Sequence, residues 1–321
     1  MTELSIVIVS WNAKKYLGEC LASLRSVSRN LSIETIVIDN GSTDGSPQLV
    51  RDQFPEVKVI ENGCNLGFAR GNNIGIKLAT GKHICLINSD VNVPADCLPK
   101  MYQFMEQNPD IGLLGPQMLA SDRHVARSGM RFPTVWNAFV RAFAVDSMLK
   151  PYGVFGNLLM TDFGFDKNKD MDVLNGWFWM VRREAVDEVG LLDERFFMYC
   201  EDIDWCKRFH LAGWRVVFYS EAAAVHYGGA SSSNHPIRFS VEMQRASVTY
   251  WTKYHGRVSL VFYLVAIGLN HAIRVIVWGL MYLIKPGARS EALFALKRSA
   301  ACLHYLMTLA VFDKAGPEVT V

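Results

Sequence analysis

The chain has 321 residues, 50% of them hydrophobic and 20% charged, with a formal net charge of +2. That length admits one large α/β domain with an appendage, or two domains, and so small a charge argues neither for a nucleic-acid footprint nor for a polybasic membrane anchor. Seven cysteines without a CxxC pair fit buried thiols rather than a disulfide framework, and the start Met1-Thr2-Glu3-Leu4 has no basic stretch leading into an apolar one, so the cytoplasm is the expected compartment.

Leu4 to Val9 is a β-branched run ending at Ser10-Trp11-Asn12, which predicts a first strand and its loop. Lys14 to Val27 carries Leu17, Leu21 and Leu24 at near-helical spacing. Glu34 to Ile38 is a second strand, running into Asp39-Asn40-Gly41-Ser42-Thr43-Asp44-Gly45-Ser46. A helix through Leu49 and Phe54, a short strand Val57–Ile60, a loop from Asn62 to Gly67 and a helix Ala69–Ala79 follow. Next comes an apolar run, Ile84 to Ile87, of the kind buried inside parallel sheets. It stops at Asn88-Ser89-Asp90. Strands alternating with helices predict a parallel doubly wound sheet, and right-handed crossovers put these loops on one edge.

That edge is where ligands gather in open α/β sheets. The Asp39 carboxylate can accept the imide N–H of uracil or thymine, while Ser42 to Ser46 reads as a βα turn that caps the next helix. Asn65-Leu66-Gly67-Phe68-Ala69-Arg70-Gly71-Asn72-Asn73 offers amides and one cation at a helix start, a natural anion site. Arg70 can pair with a nucleotide diphosphate or stand in solvent. Gly71 and Gly75 cost helix propensity, which points to close packing or ligand approach on that face. At Asn88-Ser89-Asp90 a carboxylate two residues after an amide can hold a hard cation and, through it, phosphate oxygens.

Ile8-Val9-Ser10-Trp11-Asn12, Val37 to Ser46, Asn65 to Asn73 and Leu86-Ile87-Asn88-Ser89-Asp90 resemble, in order, the motifs of family 2 glycosyltransferases, inverting enzymes of the GT-A fold. The resemblance is strongest to the rhamnosyltransferase-like branch that builds bacterial surface polysaccharides, and covers roughly residues 4 to 232. It implies that Asp39 holds the base, and that Asn12, Asn65, Gly67, Arg70, Asn72 and Asn88 line the donor site. It also implies a divalent cation, Mg²⁺ or Mn²⁺, on Asp90. The sequence departs from the family's DxD pattern at Asn88, which leaves Asp90 as the one charged ligand of that motif.

Gly115-Pro116 marks a change of texture. Residues 117 to 172 are irregular, with Arg123, His124, Arg127 and Arg131 scattered among aromatics and a short helix expected over Arg141–Met148. This stretch reads as a long excursion where an acceptor is chosen. Val173 to Val181 predicts a strand with Trp177 and Trp179 on one side, as a sugar-stacking surface or as core.

An aromatic run, Phe196-Phe197-Met198-Tyr199, then delivers Glu201, Asp202 and Asp204 to a helix start. Glu201 and Asp204 share a face there and Asp202 points elsewhere. The dipole alone accounts for acids at a helix start, yet inverting transfer needs a carboxylate to deprotonate the acceptor hydroxyl. The resemblance implies Asp202 as that base, with Glu201 supporting it. Val216 to Phe218 forms a strand leading to His226, which is structural or, as the resemblance implies, completes the metal site or contacts the diphosphate.

Phe262 to Ile284 is apolar but holds Arg274 near its middle, and Ala292 to Phe312 is interrupted by Lys297 and Arg298. A charge at mid-span costs about 2.5–3.5 kcal/mol on insertion scales, which disfavours a simple crossing. The helices are expected to lie in a membrane interface, peripheral on the inner face of the plasma membrane, or to pack as a homodimer element.

The chain is thus expected to fold as a GT-A domain with residues 1–115 as its nucleotide-sugar half, 116–240 as its acceptor and catalytic half, and an apolar helical tail over 241–321. Its expected activity is inverting, metal-assisted transfer of a sugar, rhamnose from dTDP-rhamnose by resemblance, to a glycan or polyprenyl-linked acceptor. A sugar-phosphate nucleotidyltransferase is the weaker alternative, because Ser10-Trp11-Asn12-Ala13-Lys14 is no Gly-rich, Arg-containing loop. A non-catalytic nucleotide-sugar-binding scaffold is the other, favoured by Asn88 and opposed by the Glu201-Asp202 pair.

Overall fold

The structure, a computed structural model, describes residues 2–27, 31–142, 158–228 and 235–311. It divides into two compact units, Met1–Phe132 with Leu159–Ser231, and Pro133–Leu158 with Ser232–Val321.

The first unit is an α/β layer structure built on one mixed, mostly parallel sheet. Its first strands and helices follow the expected order: β1 (Leu4–Ser10), α1 (Lys14–Arg25), β2 (Ile33–Asp39), α2 (Ser46–Gln53), β3 (Lys58–Glu61), α3 (Phe68–Leu78) and β4 (His83–Ile87). β5 (Val91–Asn92), α4 (Cys97–Gln107) and β6 (Ile111–Leu119) come next. Two-residue strands β7 (Val125–Ala126), β8 (Gly129–Met130), β9 (Lys169–Asp170) and β10 (Val173–Leu174) punctuate the irregular stretch. β11 (Phe178–Arg182), α6 (Arg183–Val189), α7 (Glu201–Leu211) and β12 (Arg215–His226) complete the unit. Across the sheet the strands run β3-β2-β1-β4-β11-β6-β12-β5. β6 passes straight through residues 115 and 116, so the donor and acceptor halves share one sheet.

β1 and β4 are apolar along almost their whole length because both faces are covered. Leu4, Ile6, Ile8, Cys85 and Ile87 pack with Leu17 and Leu21 of α1 and Met101 of α4 in one core. Each such side chain contributes about 1.5–3 kcal/mol when fully buried. α3 lies so close to β1 that a Cβ on Gly75 would stand 2.2 Å from Val7 Cγ1 and one on Gly71 3.0 Å from Val9 Cγ1. Backbone proximity, not a ligand, therefore explains both glycines.

Two antiparallel pairings position the site. β11 enters between β4 and β6, with Phe178 opposite Ile87. β12 ends against β5, with His226 opposite Val91. Trp177 is thereby laid beside Asn88, and His226 beside Asp90.

The second unit is helical: α5 (Val135–Ala142), α8 (Pro236–Tyr254), α9 (Arg257–Ile284) and α10 (Arg289–Val311). α9 packs along α10 and α5, and α8 along both α9 and α10. Trp251 stacks on Tyr263 with ring centroids 4.8 Å apart. α9 is long and apolar enough to cross a membrane by length and composition, yet it leaves Val258, Phe262, Ile276 and Leu283 more than half exposed. The helix expected over Arg141–Met148 falls mostly outside the described residues, and α5 ends just inside it.

Candidate functional site

Parallel pairing of β1 with both β2 and β4 sets three strand ends side by side, with Ser10 directly opposite Asp39. Asp39 is 2% exposed. One of its oxygens, Oδ2, accepts the Ser42 N–H at 2.9 Å. Its Oδ1 and the neighbouring Ser10 Oγ are buried without a partner. Buried polar atoms are rarely left so, because each costs about 1–3 kcal/mol of desolvation. Two of them at adjacent strand ends are what a polar ligand would satisfy.

The loops around this point are sewn together. Asn12, at a left-handed φ of 49°, donates its N–H to Ser42 Oγ at 2.9 Å, and its Oδ1 accepts the Thr43 N–H at 2.8 Å. Asp44 accepts the N–H groups of Lys14 and Ser46, so Ser42 to Ser46 is a turn held by its own side chains. Asn65 Oδ1 accepts the Gly67 N–H at 2.9 Å and one from Asn40 Nδ2 at 3.3 Å. Asn40 also donates to Gly67 O at 3.0 Å. Gly67 has φ of 84°, and a Cβ there would lie 2.3 Å from Phe197 O. That clash space exists because the Phe68 N–H donates to Phe197 O, docking the start of α3 against the aromatic run that precedes α7.

Asn72 donates within its own helix, to Phe68 O at 2.9 Å. Asn73 bonds both backbone groups of Leu192 and Glu194 besides: it donates to Leu192 O and Glu194 Oε1 and accepts the Leu192 N–H. Arg70 extends from the same helix with its side chain 58% exposed, 3.8 Å from Glu194. Ser10, Asn40 and Asn73 all stand inside the motifs quoted, but nothing in the residue types says which of several asparagines brace the loops.

Beside Asp39's neighbours lies a second cluster. Asp90 is 5% exposed, and its Oδ1 is 3.1 Å from His226 Nε2. Asn88 Nδ2 lies 3.5 Å from the same nitrogen. Beneath them the buried Cys20 thiol donates to Asn88 O at 3.9 Å. Burial, and then the Asp90 charge, push that thiol up to about 12, so it stays protonated. Among the described residues no three His, Cys, Asp or Glu side chains gather as a metal-ligand set. Asp90 and His226 together offer one carboxylate and one imidazole, a donor pair that suits a divalent cation provided further oxygens come from elsewhere.

Trp177 and Trp179 do not share a surface. β11 begins only at Phe178, so strand alternation does not extend to Trp177. Its ring stacks on His226 with centroids 5.4 Å apart and an interplanar angle of 22°. Trp179 is fully buried, packs on Trp205 at 5.5 Å and donates to Leu174 O. Trp179 is core, and Trp177 borders the Asp90–His226 pair.

α7 brings the acids. It follows two consecutive residues with left-handed backbone, Tyr199 at φ 73° and Cys200 at φ 60°, an arrangement that costs about 1–3 kcal/mol per residue and is concentrated at functional sites. Glu201 and Asp204 face inward, at 6% and 0% exposed. Asp204 is held by Arg208 at 2.9 Å, and Arg208 also donates to Val189 O and Leu191 O. Asp202 differs. It is partly exposed, and burial in its surroundings pushes its carboxyl up from 3.8 to about 6, against the pull of the N–H groups of Ile203, Asp202 itself and Gly176.

The two clusters meet through adjacent residues. Gly176 bonds the Asp202 carboxylate through its N–H, and Trp177 O accepts the Asn88 N–H at 2.9 Å while its ring lies on His226. The peptide group that lowers the Asp202 pKa is thus the sequence neighbour of the one that bonds the Asn88-Ser89-Asp90 turn.

The model of the family described as Glycosyl transferase family 2 matches residues 5–190. An N-acetylglucosaminyl-diphospho-decaprenol L-rhamnosyltransferase of Mycobacterium tuberculosis H37Rv is 28% identical over 268 residues, 79% of this chain and 85% of that one. Rhamnosyltransferase WbbL of Escherichia coli K12 is 27% identical over 234 residues, 69% of this chain and 82% of that one. Among solved structures, the mannosyltransferase PcManGT of Pyrobaculum calidifontis, in complex with GDP-Man and Mn²⁺, aligns with a TM-score of 0.55 at 16% identity, covering 98% of this chain and 88% of that one. That likeness shows the GT-A fold.

Proposed function

The chain belongs to glycosyl transferase family 2, and from that premise we propose that it transfers rhamnose with inversion, from dTDP-rhamnose to a lipid-linked glycan acceptor. The class of enzyme, a glycosyltransferase, follows from membership and leaves no place for the nucleotidyltransferase alternative. The donor and acceptor are supported by two relatives, both rhamnosyltransferases, one of them acting on a diphospho-decaprenol glycan by its name.

The observation that carries the reading is the Gly176–Trp177 link, which relates Asp202, its carboxyl raised to about 6, to the turn bearing Asp90. In this assignment the base of the nucleotide docks at the β1 and β2 ends, where Asp39 Oδ1 accepts its imide N–H and Ser10 Oγ answers a carbonyl. Arg70 reaches the diphosphate from α3. Asn12, Asn65 and Gly67 serve the donor by fixing the loops that frame it, and Asn72 by bracing the first turn of α3. Asp90 and His226, with Asn88 beside them, would hold a divalent cation, which as a Lewis acid would offset charge on the leaving diphosphate.

Asp202 accepts the proton of the acceptor hydroxyl as that oxygen bonds to the anomeric carbon, and the carbon–oxygen bond to the diphosphate breaks with its electron pair on the leaving group. A carboxyl with a pKa of about 6 is ionised at neutral pH yet more basic than an ordinary aspartate, as a general base requires. Glu201, buried next to it in sequence, orients the acceptor. The exposed apolar face of α9 supports attachment at a membrane surface, where a lipid-linked acceptor resides.

Incubating the chain with dTDP-rhamnose, UDP-glucose or GDP-mannose, a polyprenyl-diphosphate glycan and Mn²⁺ or Mg²⁺ tests this. Rhamnosylated lipid of inverted anomeric configuration is the expected product. Transfer from UDP-glucose or GDP-mannose alone would overturn the donor, and a retained configuration would overturn the mechanism.

A further inference from the structure

The Trp177 indole takes no part in the transfer chemistry, yet it lies against the Asp90 cluster. It is 4% exposed, and its own place is firmly set. Its N–H donates to Asn175 O at 2.9 Å, and its carbonyl accepts the Asn88 N–H at 2.9 Å. Phe178 meets its ring edge to face, with centroids 5.6 Å apart. The same indole lies nearly parallel to the His226 imidazole, with centroids 5.4 Å apart and 22° between the planes.

His226 needs such a support. It is the last residue of β12, and its side chain is 18% exposed. Its Nε2 faces the Asp90 carboxylate at 3.1 Å and, more weakly, the Asn88 amide at 3.5 Å. Rotation about the side-chain torsions would turn that nitrogen away from Asp90, and an offset stack on a buried indole opposes the rotation. Aromatic pairs of this geometry are worth about a two- to tenfold preference. With Asn88 supplying no charge, a cation here depends on Asp90 and on an imidazole already turned to it. A group held in its bound orientation loses no torsional freedom on binding.

We propose that the Trp177 side chain is a positioning residue that acts through His226, holding the imidazole turned to Asp90 before the donor diphosphate and its cation arrive. This rests on the assignment of Asp90 and His226 to the diphosphate end of the donor. The bond to Asn88 runs through the Trp177 carbonyl, so a change of side chain keeps that bond and isolates the stack.

Calorimetric titration of the full chain with dTDP, with and without Mn²⁺, tests this in a double-mutant cycle. Trp177→Leu is expected to weaken dTDP binding about two- to tenfold, and Trp177→Phe, which keeps an aromatic face, to weaken it less. Trp177→Leu/His226→Ala is expected to bind no more weakly than His226→Ala alone, because the imidazole it would have positioned is gone. Thymidine, which lacks the phosphates, is expected to bind Trp177→Leu as it binds wild type. Wild-type dTDP affinity in Trp177→Leu, losses that multiply in the double variant, or an equal loss with thymidine would each overturn the proposal. Nuclear magnetic resonance of the wild-type chain labelled at histidine needs no folded Trp177 variant. The His226 ring protons, identified by their absence in His226→Ala, are expected upfield of ordinary histidine values before any ligand is added, since an aromatic face shields protons above it. Ordinary shifts would overturn the stack. A wild-type dTDP affinity indifferent to Mn²⁺ would overturn the cation reading, and the cycle without metal would still decide whether Trp177 acts through His226. No dTDP binding by wild type would count against the donor reading and leave the proton shifts to decide the proposal.

Discussion

The donor rim and the acid helix both concentrate carboxylates, and they treat them in opposite ways. At the rim Asp44 accepts backbone N–H groups, Asp90 faces His226, and Asp39 accepts the Ser42 N–H with one oxygen and has the other buried without a partner. On α7 two aspartates two residues apart part company. Asp204 is buried against the Arg208 guanidinium. Asp202 has backbone donors but no cation, and burial prevails, lifting its carboxyl to about 6. In the proposed reading the rim holds the donor still, and the helix keeps one carboxylate basic. Within the helix, what separates Asp204 from Asp202 is whether a cation is supplied.

The largest effect that would break this contrast is on catalysis. Asp202→Asn keeps the shape and removes the proton acceptor, so transfer is expected to fall about 10²–10⁴-fold, while calorimetric affinity for the nucleotide stays within about twofold, since no charge leaves the rim. A variant with wild-type turnover would strip Asp202 of its role and shift attention to Glu201.

Next in size is the structural aspartate. Arg208→Ala leaves Asp204 charged and fully buried without its partner, and also frees the carbonyls of Val189 and Leu191. Breaking a buried pair on one side costs about 3–5 kcal/mol, which urea unfolding would register. A loss below about 1 kcal/mol, the worth of a surface pair, would mean that Asp204 is not held as its burial implies.

How far the sequence exposed this contrast depended on the physics behind each part. The order of strands and helices to β4 was legible because β-branched runs and helical periodicity are local signals. Asp39, Asp90 and Asp202 were legible because motif residues sit at strand ends and at a helix start. The insertion of β11 antiparallel between β4 and β6 was not, since nothing in Phe178–Arg182 encodes a partner 91 to 99 residues away. With it went the fate of Trp177, which borders His226 instead of sharing a face with Trp179. The bracing by Asn40 and Asn73 was hidden for a similar reason: an asparagine that bonds backbone across the fold looks the same as one in solvent.

Smaller, and opposite in sign, is the cost of keeping Asp202 basic. Its folded-state pKa lies above the ordinary 3.8, at about 6, so over that interval the folded chain keeps a proton that the unfolded chain gives up. Stability from this group is therefore complete below 3.8 and declines as pH rises to about 6. Asp202→Asn removes the dependence. Relative to wild type it is expected to gain about 1–3 kcal/mol above that interval and nothing below it, by urea unfolding across pH. Transfer by wild type should rise through the same pH as the base ionises. A variant no more stable at neutral pH would mean that water reaching the partly exposed carboxyl offsets the burial that raises it.

The smallest effect on stability should come from Arg70, and it tests the rim. Its Nε is 3.8 Å from Glu194, with side chains 58% and 44% exposed, and such a pair is worth about 0–1 kcal/mol at most. Arg70→Ala should leave the melting temperature nearly where it was, because Asn73, not Arg70, holds α3 to the 192–194 loop. Donor binding is the sensitive readout. One charge-assisted contact to a diphosphate is worth about tenfold in affinity, and the loss should appear with dTDP but not with thymidine, which lacks the phosphates. An equal loss with both would mean that the substitution loosened the rim itself, and no loss with either would return Arg70 to the solvated surface.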